Sequence, residues 1–240
     1  MFFGLFWGDW TILVLLPAMI FAIYAQAKVK STFAKYDKVR NSTGLSGAEA
    51  ARRILDRNGL YDVRIEKIKG QLTDHYDPKD NVIRLSESTY DSTSVAAVGV
   101  AAHETGHAIQ HATGYFPIKI RMAIVPVTRV GSMLAMPIFL VGIIMASMSY
   151  YGDIFMFLGI LLFSLSTVFQ LVTLPVEFNA SNRALRTLEE NGIMYGEDIG
   201  GAKKVLSAAA MTYVAALASS LASLLRLLLI ASSASGRRRR

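Results

Sequence analysis

Two histidines and one glutamate stand close together in a segment of small residues, Val95 to Gly114, whose composition is typical of a helix. His103 and His107 are four positions apart, so on a helix both imidazoles leave the same face one turn apart and can bind one ion. Zinc suits this pair, because it accepts neutral imidazole, prefers four ligands and can keep one position for water. Glu104 would point beside the ion, where a base can take a proton from that water.

A third histidine on the same predicted helix, His111, is too far along it to bind the same ion. His103 and His111 are two turns apart, about 12 Å along a straight helix. In zinc proteases with the pattern H-E-x-x-H-x-x-G-x-x-H, the chain turns at the glycine and a third histidine reaches the metal. Here Gln110 and Thr113 occupy those two positions. The sequence therefore excludes that class and predicts a structural or supporting role for His111.

The third ligand must come from another part of the chain, and Glu177 is our candidate. It follows two predicted membrane spans between Met122 and Leu174. An even number of spans returns the chain to the side on which His103 and His107 lie. We expect Glu177 to begin a helix there. The alternative is that its carboxylate stabilises the positive end of that helix, and the two roles are compatible.

The composition of the chain is that of a membrane protein. Of its 240 residues 52% are hydrophobic, and the mean hydropathy of +0.38 is too high for an ordinary soluble domain. The 25 basic residues exceed the 18 acidic ones. Aromatic residues do not alternate with the basic ones, so we expect no nucleic acid partner. The run Arg237 to Arg240 predicts contact with anionic lipid instead. The chain has no cysteine, which excludes thiolate metal sites and cysteine nucleophiles.

Uncharged apolar segments divide the chain into four regions. Trp10 to Ala27 is long enough to cross a bilayer, which makes residues 1–30 an N-terminal transmembrane anchor. Residues 31–121 form a polar, zincin-like catalytic region with the HExxH helix, and residues 122–175 form a transmembrane hairpin. Residues 176–240 hold the third-ligand helix, a C-terminal helix and the basic tail. Basic residues follow the first span and none precede it, which predicts a multi-pass protein of the cell membrane with a cytoplasmic catalytic region.

The polar region carries both helix and strand signals. Ser46 opens a capping-box pattern, which predicts a helix over Gly47 to Arg57. Val63 to Ile68 and Asn81 to Leu85 alternate polar and apolar residues, as half-buried strands do. Ser94 is the predicted cap of the HExxH helix. We therefore predict an α+β fold, mostly helical, with a small sheet next to the HExxH helix.

The strand predicted over Asn81 to Leu85 comes directly before the HExxH helix. It could offer a free edge to an extended peptide. An ordinary place inside the sheet is the alternative, because the sequence does not show which strand is the edge. Four side chains are candidates for donating a hydrogen bond to a substrate carbonyl oxygen: His75, Tyr76, Arg183 and Tyr195. For His75 we favour the alternative of a turn residue, because its segment is rich in turn formers.

The last apolar segment, Val205 to Ile230, allows two interpretations. Its first half is rich in alanine and serine, as in a helix packed against protein, and its more apolar second half includes Arg226. A fourth span would place the arginine tail outside, against the positive-inside rule. We therefore expect three spans and a C-terminal helix that packs on the catalytic region or lies partly in the bilayer, with four spans as the alternative.

Three segments of the chain resemble one protein family. HETGH (103–107), LTDHYDPKDNVIRLSE (72–87) and VEFNASNRAL (176–185) together resemble the YugP-like bacterial membrane family of neutral zinc metallopeptidases. The order of HExxH, two spans and a helix beginning with Glu is more distantly similar to the HtpX-like and CAAX-prenyl-type membrane proteases. The likeness covers nearly the whole chain.

This resemblance implies a gluzincin site with one zinc ion. In such a site His103, His107 and Glu177 bind the ion, and Glu104 acts first as base and then as acid. The HtpX-type pattern has an aspartate four residues after the glutamate ligand, which supports a zinc-bound histidine. Here that position is Ser181, so the supporting residues do not carry over.

Together these features predict a membrane-bound, zinc-dependent endopeptidase that acts on peptide or protein substrates. The alternative is a zinc-binding membrane adapter or assembly factor without proteolytic activity, against which an intact Glu104 argues. A transporter is disfavoured, because the spans carry few acidic or histidine side chains at mid-membrane depth.

Overall fold

The structure is a computed structural model that describes residues 10–146 and 151–238. Residues 147–150 of the predicted transmembrane hairpin, the segment before Trp10 and the end of the arginine tail lie outside the described residues. The chain is mostly helical with one small sheet, which confirms the predicted fold class.

The described elements follow one another along the chain after a short 3-10 helix. In order they are α1 (Leu16–Tyr36), α2 (Gly47–Arg57), β1 (Arg64–Ile68), β2 (His75–Asp77), β3 (Val82–Ser86), α3 (Glu87–Tyr90), α4 (Val95–Ala112), α5 (Phe116–Ala146), α6 (Tyr151–Glu190) and α7 (Glu197–Arg238). The chain forms two compact units. The first contains most of the long apolar helices, and the second contains residues 25–119 and 174–212.

Helix α2 has the predicted bounds, because its capping box forms. The Oγ atom of Ser46 accepts a hydrogen bond from the backbone N–H of Glu49 (3.3 Å), and the Glu49 carboxylate accepts one from the Ser46 N–H (2.8 Å). Each side chain thus pairs a backbone N–H that the first turn leaves free. The helix ends at Arg57, before Gly59, whose φ of +71° suits a glycine.

The sheet has the strand order β1-β3-β2, so β3 is its central strand. β1 pairs with β3 in parallel and β2 pairs with β3 antiparallel. The prediction that Asn81 to Leu85 offers a free edge is therefore wrong, because β2 covers that side. Strand β2 was not predicted, because its three residues, His75–Asp77, are too few to show a strand pattern and lie among turn-forming residues. The free edges of this sheet belong to β1 and β2.

Helix α4 carries the two histidines and lies in the core of the second unit. Ser94 caps it as predicted: its Oγ atom accepts from the N–H of Ala97 (3.1 Å) and donates to Asp37 (3.1 Å). Gly114, at φ +63°, follows the end of the helix. The side chains that α4 buries are small, so neighbouring helices can approach closely. Those in the largest buried cluster are Val95, Val98, Ala102 and Ile109.

Within the described residues, four helices are long and apolar enough to cross a membrane, including α7 over Glu197–Ser235. This number of candidate spans matches the alternative of four, and α7 is one helix of 42 residues. The charged side chain in its more apolar half has a partner: the Arg226 guanidinium donates to the Oγ atom of Thr11 (3.3 Å). Near the end of α7, Ser235 donates to Asp153 at the start of α6 (2.8 Å). Within the first unit, the end of α7 therefore lies next to the start of α6.

The cap of α4 generates a stability prediction. We expect Ser94→Ala to lower the free energy of unfolding by about 1–2 kcal/mol, because the variant loses the side-chain acceptor for a buried backbone N–H. Denaturant titration in detergent micelles measures this. Ser31→Ala is the matched control: the Ser31 hydroxyl is exposed and donates only to the Lys28 carbonyl within α1. Equal stabilities of the two variants would show that the cap is unimportant.

Candidate metal centre

Helices α4 and α6 together bring two imidazoles and a carboxylate to one point. The Nε2 atom of His103 lies 3.3 Å from Oε2 of Glu177, and Nε2 of His107 lies 3.4 Å from the same oxygen. The two rings stand nearly perpendicular, at 86°, with their centroids 4.7 Å apart. One ligand atom from each residue lies within 4.8 Å of the other two. The structure thus brings together the three residues predicted to bind the metal.

The triangle formed by Nε2 of His103, Nε2 of His107 and Oε2 of Glu177 has two sides of the length that zinc requires. Ligand atoms about 2.0–2.1 Å from a tetrahedral ion are about 3.3–3.4 Å from each other. The two nitrogen-to-oxygen distances, 3.3 and 3.4 Å, agree with that spacing. Imidazole nitrogen and carboxylate oxygen are both zinc ligands, and three protein ligands leave a fourth position for water or substrate. The residues present therefore fit one zinc ion.

Glu177 does not begin a helix, contrary to the prediction. Helix α6 is continuous over 40 residues, from Tyr151 to Glu190, and Glu177 lies well inside it. Pro175 precedes Glu177 and the composition changes from apolar to polar there, but neither feature ends the helix. A helix can nevertheless continue through a proline at the loss of one backbone hydrogen bond. The alternative role for Glu177, stabilising a helix N-terminus, is therefore excluded.

A glycine in the motif lets the two helices approach closely. A Cβ atom built on Gly106 would lie 2.5 Å from the backbone oxygen of Ala180, closer than side chains pack. Gly106 is one residue before His107, and Ala180 is three residues after Glu177. The backbone contact at Gly106 therefore sets the distance over which the imidazoles and the carboxylate meet.

Hydroxyl and amide groups contact the far sides of the two imidazoles. The Oγ atom of Ser181 lies 3.2 Å from Nδ1 of His103, and Oε1 of Gln110 lies 3.0 Å from Nδ1 of His107. Ser181 thus occupies the place that the HtpX-type pattern gives to aspartate, with a hydroxyl in contact with the histidine. Gln110 was not predicted as a partner of His107. Its spacing of three residues on the same helix was the available signal.

The predicted base is buried next to the triangle. Glu104 is 7% exposed, and within the described residues nothing forms a hydrogen bond or ion pair with its carboxylate. Burial lowers the pKa of His107, but its hydrogen bond to the Glu177 carboxylate and the charges of Glu104 and Glu177 raise that pKa by more. The pKa of His107 therefore lies above its ordinary value. The surroundings favour positive charge, as a cation site requires.

The other candidates of the sequence analysis have separate roles. His111 is exposed and packs edge-on against the ring of Tyr76, with centroids 6.1 Å apart, so its role is structural. The Tyr76 hydroxyl donates to Asn81 (3.1 Å). Arg183 donates through Nε to Asn179 (2.8 Å). The ring nitrogen Nδ1 of His75 lies 2.9 Å from the carbonyl of Thr73.

Comparison with known proteins assigns the family. The model of a family described as "Putative neutral zinc metallopeptidase" matches residues 11–232. The chain belongs to this family. The chain is also 50% identical over 210 residues to the "Putative membrane protease YugP" of Bacillus subtilis (strain 168), a match that covers 88% of this chain and 91% of that protein. No solved structure matches it. Zinc is the cofactor that the family indicates, and the triangle of ligand atoms could hold one ion.

The close contact between α4 and α6 can be tested with one methyl group. We expect Gly106→Ala to force α4 and α6 apart, at a cost of about 1–3 kcal/mol, and to reduce the zinc content of the purified protein. Metal analysis by mass spectrometry measures this. Gly99→Ala on the same helix is the control, because its Cβ would meet the Ala202 Cβ at an ordinary 3.4 Å. Full zinc content in Gly106→Ala would contradict the role of the contact.

Proposed function

We propose that the protein is a membrane-bound zinc endopeptidase of the gluzincin type. His103, His107 and Glu177 bind the ion, and Glu104 is the general base. The observation that supports this is the triangle of two Nε2 atoms and one carboxylate oxygen, with distances of 3.3 and 3.4 Å between each nitrogen and the oxygen. One ligand pair comes from a single helix face, and the third ligand comes from a helix that contains a candidate membrane span.

The reaction follows from the placement of these side chains. Zinc, when bound, acidifies a water molecule and polarises the carbonyl of the peptide bond to be cut. The Glu104 carboxylate accepts the proton of the attacking water and later gives it to the nitrogen of the leaving amine. Because Glu104 is 7% exposed and has no partner among the described residues, its oxygens are available for this transfer. His103, His107 and Glu177 hold the reacting groups in position.

An extended peptide would bind at the free edge of β2 rather than at β3. β2 has β3 on one side only, and Tyr76 on this strand contacts His111 on the helix that carries the histidine ligands. Backbone groups along an edge strand bind extended peptides without regard to their sequence. This placement favours polypeptide substrates over small molecules.

The role of Glu104 is tested by Glu104→Gln. The amide keeps the size of the side chain but cannot accept the proton, so we expect one bound zinc per chain and a loss of peptide hydrolysis of about 10²- to 10⁴-fold. Cleavage of casein, with and without chelator, and metal analysis give the two readings. His107→Ala is the comparison, since it should lose zinc as well as activity. Undiminished hydrolysis in Glu104→Gln would overturn the assignment of the base.

Zinc binding without any chelator-sensitive hydrolysis in the wild type would favour the non-proteolytic adapter.

We further propose that the catalytic region faces the cytoplasm. Several basic residues lie where α1 leaves its apolar segment, and such residues concentrate on the cytoplasmic side of spans. They are Lys28, Lys30, Lys35, Lys38 and Arg40. Helix α6 runs from Tyr151 through a candidate span to Glu177, so these two residues lie toward opposite ends of one apolar helix.

Sidedness can be measured directly, because the chain has no cysteine of its own. Tyr61→Cys and Tyr151→Cys each introduce one thiol at an exposed position, 71% and 64% exposed in the wild type. In intact cells we expect a membrane-impermeant maleimide to label only Tyr151→Cys. After permeabilisation both variants should be labelled. Labelling of Tyr61→Cys in intact cells would place the catalytic region outside.

A further inference from the structure

Gln110 is a fully buried polar side chain that the proposed reaction does not use. It lies on α4 one turn after His107, and it is 0% exposed. Its oxygen Oε1 lies 3.0 Å from Nδ1 of His107. Its nitrogen Nε2 donates to the backbone carbonyl of Val176 (2.8 Å) and to Oδ1 of Asn179 (3.0 Å). Gln110 therefore connects a predicted zinc ligand on one helix to two residues beside Glu177 on the other.

The carbonyl of Val176 determines which way the Gln110 amide points. A carbonyl oxygen only accepts hydrogen bonds, so the amide nitrogen must face it and the amide oxygen must face His107. The amide oxygen also only accepts, so the proton between them belongs to Nδ1 of His107. Toward a bound ion, the neutral ring would present the lone pair of Nε2, the atom 3.4 Å from the carboxylate of Glu177.

Further hydrogen bonds hold Gln110 in this orientation. Asn179 accepts at the same oxygen from Gln110 and from Nε of Arg183 (2.8 Å). Because both neighbours are donors, the oxygen of the Asn179 amide must be the atom that faces them. The Arg183 guanidinium lies over the ring of Tyr115, 5.9 Å from its centroid. This chain of contacts leaves one consistent set of proton positions.

The other histidine has no comparable constraint. Its Nδ1 atom faces the hydroxyl of Ser181 at 3.2 Å, and a hydroxyl can donate or accept. Ser181 therefore permits either tautomer of His103, whereas Gln110 permits one tautomer of His107. The hydrogen-bond partner therefore determines which nitrogen faces the metal in His107 but not in His103.

We propose that Gln110 is a positioning residue for the metal, which keeps the proton of His107 on Nδ1 and so presents Nε2 to the ion. The inference rests on the proposed zinc site. A partner of this kind orients the ring before the ion arrives and strengthens the ligand once it is bound. Because Gln110 donates to Val176 and Asn179, its orientation depends on α6, the helix that also supplies Glu177.

The test compares two substitutions of Gln110 in the full-length protein in detergent micelles. Gln110→Met keeps the length of the side chain but removes the strong acceptor. Gln110→Glu keeps an oxygen acceptor toward Nδ1 whether or not the carboxyl group is protonated. Thr105→Val is the matched control: Thr105 is buried on the same helix, and its hydroxyl donates to the Ala102 carbonyl (2.6 Å) without touching either imidazole.

Two measurements separate positioning from general stability. The first is zinc affinity, measured by competition with a chelator. The second is NMR of zinc-loaded protein with ¹⁵N-labelled histidine, which is simplified because the chain has four histidines. We expect Gln110→Met to weaken zinc binding about 10- to 100-fold and to lose the slowly exchanging Nδ1–H signal of His107. Gln110→Glu and Thr105→Val should keep the signal and bind zinc within about threefold of the wild type, since both retain an acceptor at Nδ1.

Unchanged zinc affinity and an unchanged Nδ1–H signal in Gln110→Met would overturn the inference. So would equal losses in Gln110→Met and Gln110→Glu, which would indicate a structural role only. If Gln110→Met does not fold, Asn179→Leu and Asn179→Asp replace the pair. Loss of zinc affinity with leucine and retention with aspartate supports the inference, and equal behaviour contradicts it. If His107→Ala binds zinc as tightly as the wild type, the proposed metal site itself is wrong.

Discussion

The site depends on the close contact between two helix backbones at Gly106 and Ala180. Imidazole and carboxylate side chains are short, and a metal ligand must be placed to within a few tenths of an ångström. Ligands on two helices meet only if the helix axes are close at that point. An added Cβ on Gly106 would lie 2.5 Å from the Ala180 oxygen, so a glycine is required there. Gly106 has no functional side chain, yet it is therefore the residue of the HETGH motif that sets the distances between the ligands.

Helix α6 supplies more than the third ligand. Residues three or four apart share one face of a helix, and Glu177 and Ser181 are four apart. Glu177 reaches the Nε2 atoms of both histidines, while Ser181 reaches Nδ1 of His103. The neighbouring positions Val176 and Asn179 hold Gln110. One turn and a half of α6 thus contacts His103 from two sides and His107 from one side directly and from the other through Gln110, so the ligands and their supports keep their relative positions together.

The sequence predicted the parts of the site that follow from local spacing. The four-residue interval of His103 and His107 places them on one helix face whatever the rest of the fold does, and the structure agrees. The ends of α2 and the cap of α4 were also predictable, because Ser46 and Ser94 act on their own first turns. Even the distant Glu177 followed from counting spans, although its place inside a continuous helix did not.

The features that the sequence did not reveal depend on contacts between distant segments. β2 has three residues, and only its pairing with β3 makes it a strand. Gln110 is an ordinary helix residue until the Val176 carbonyl, 66 positions later, fixes its orientation. The continuity of α6 through Pro175 reflects an apolar setting in which a helix must keep its remaining backbone hydrogen bonds. Each case required knowledge of tertiary neighbours.

The balance of charge explains why such a site favours a cation. Glu104 and Glu177 are 7% and 2% exposed, so two carboxylates lie in the protein interior beside two imidazoles. Each buried charge costs several kcal/mol unless it is compensated. With neutral imidazoles the four side chains carry two negative charges, and one divalent ion neutralises both. Because the charges come from α4 and α6, the ion also contributes to holding these helices together, and metal binding is coupled to the packing that creates the site.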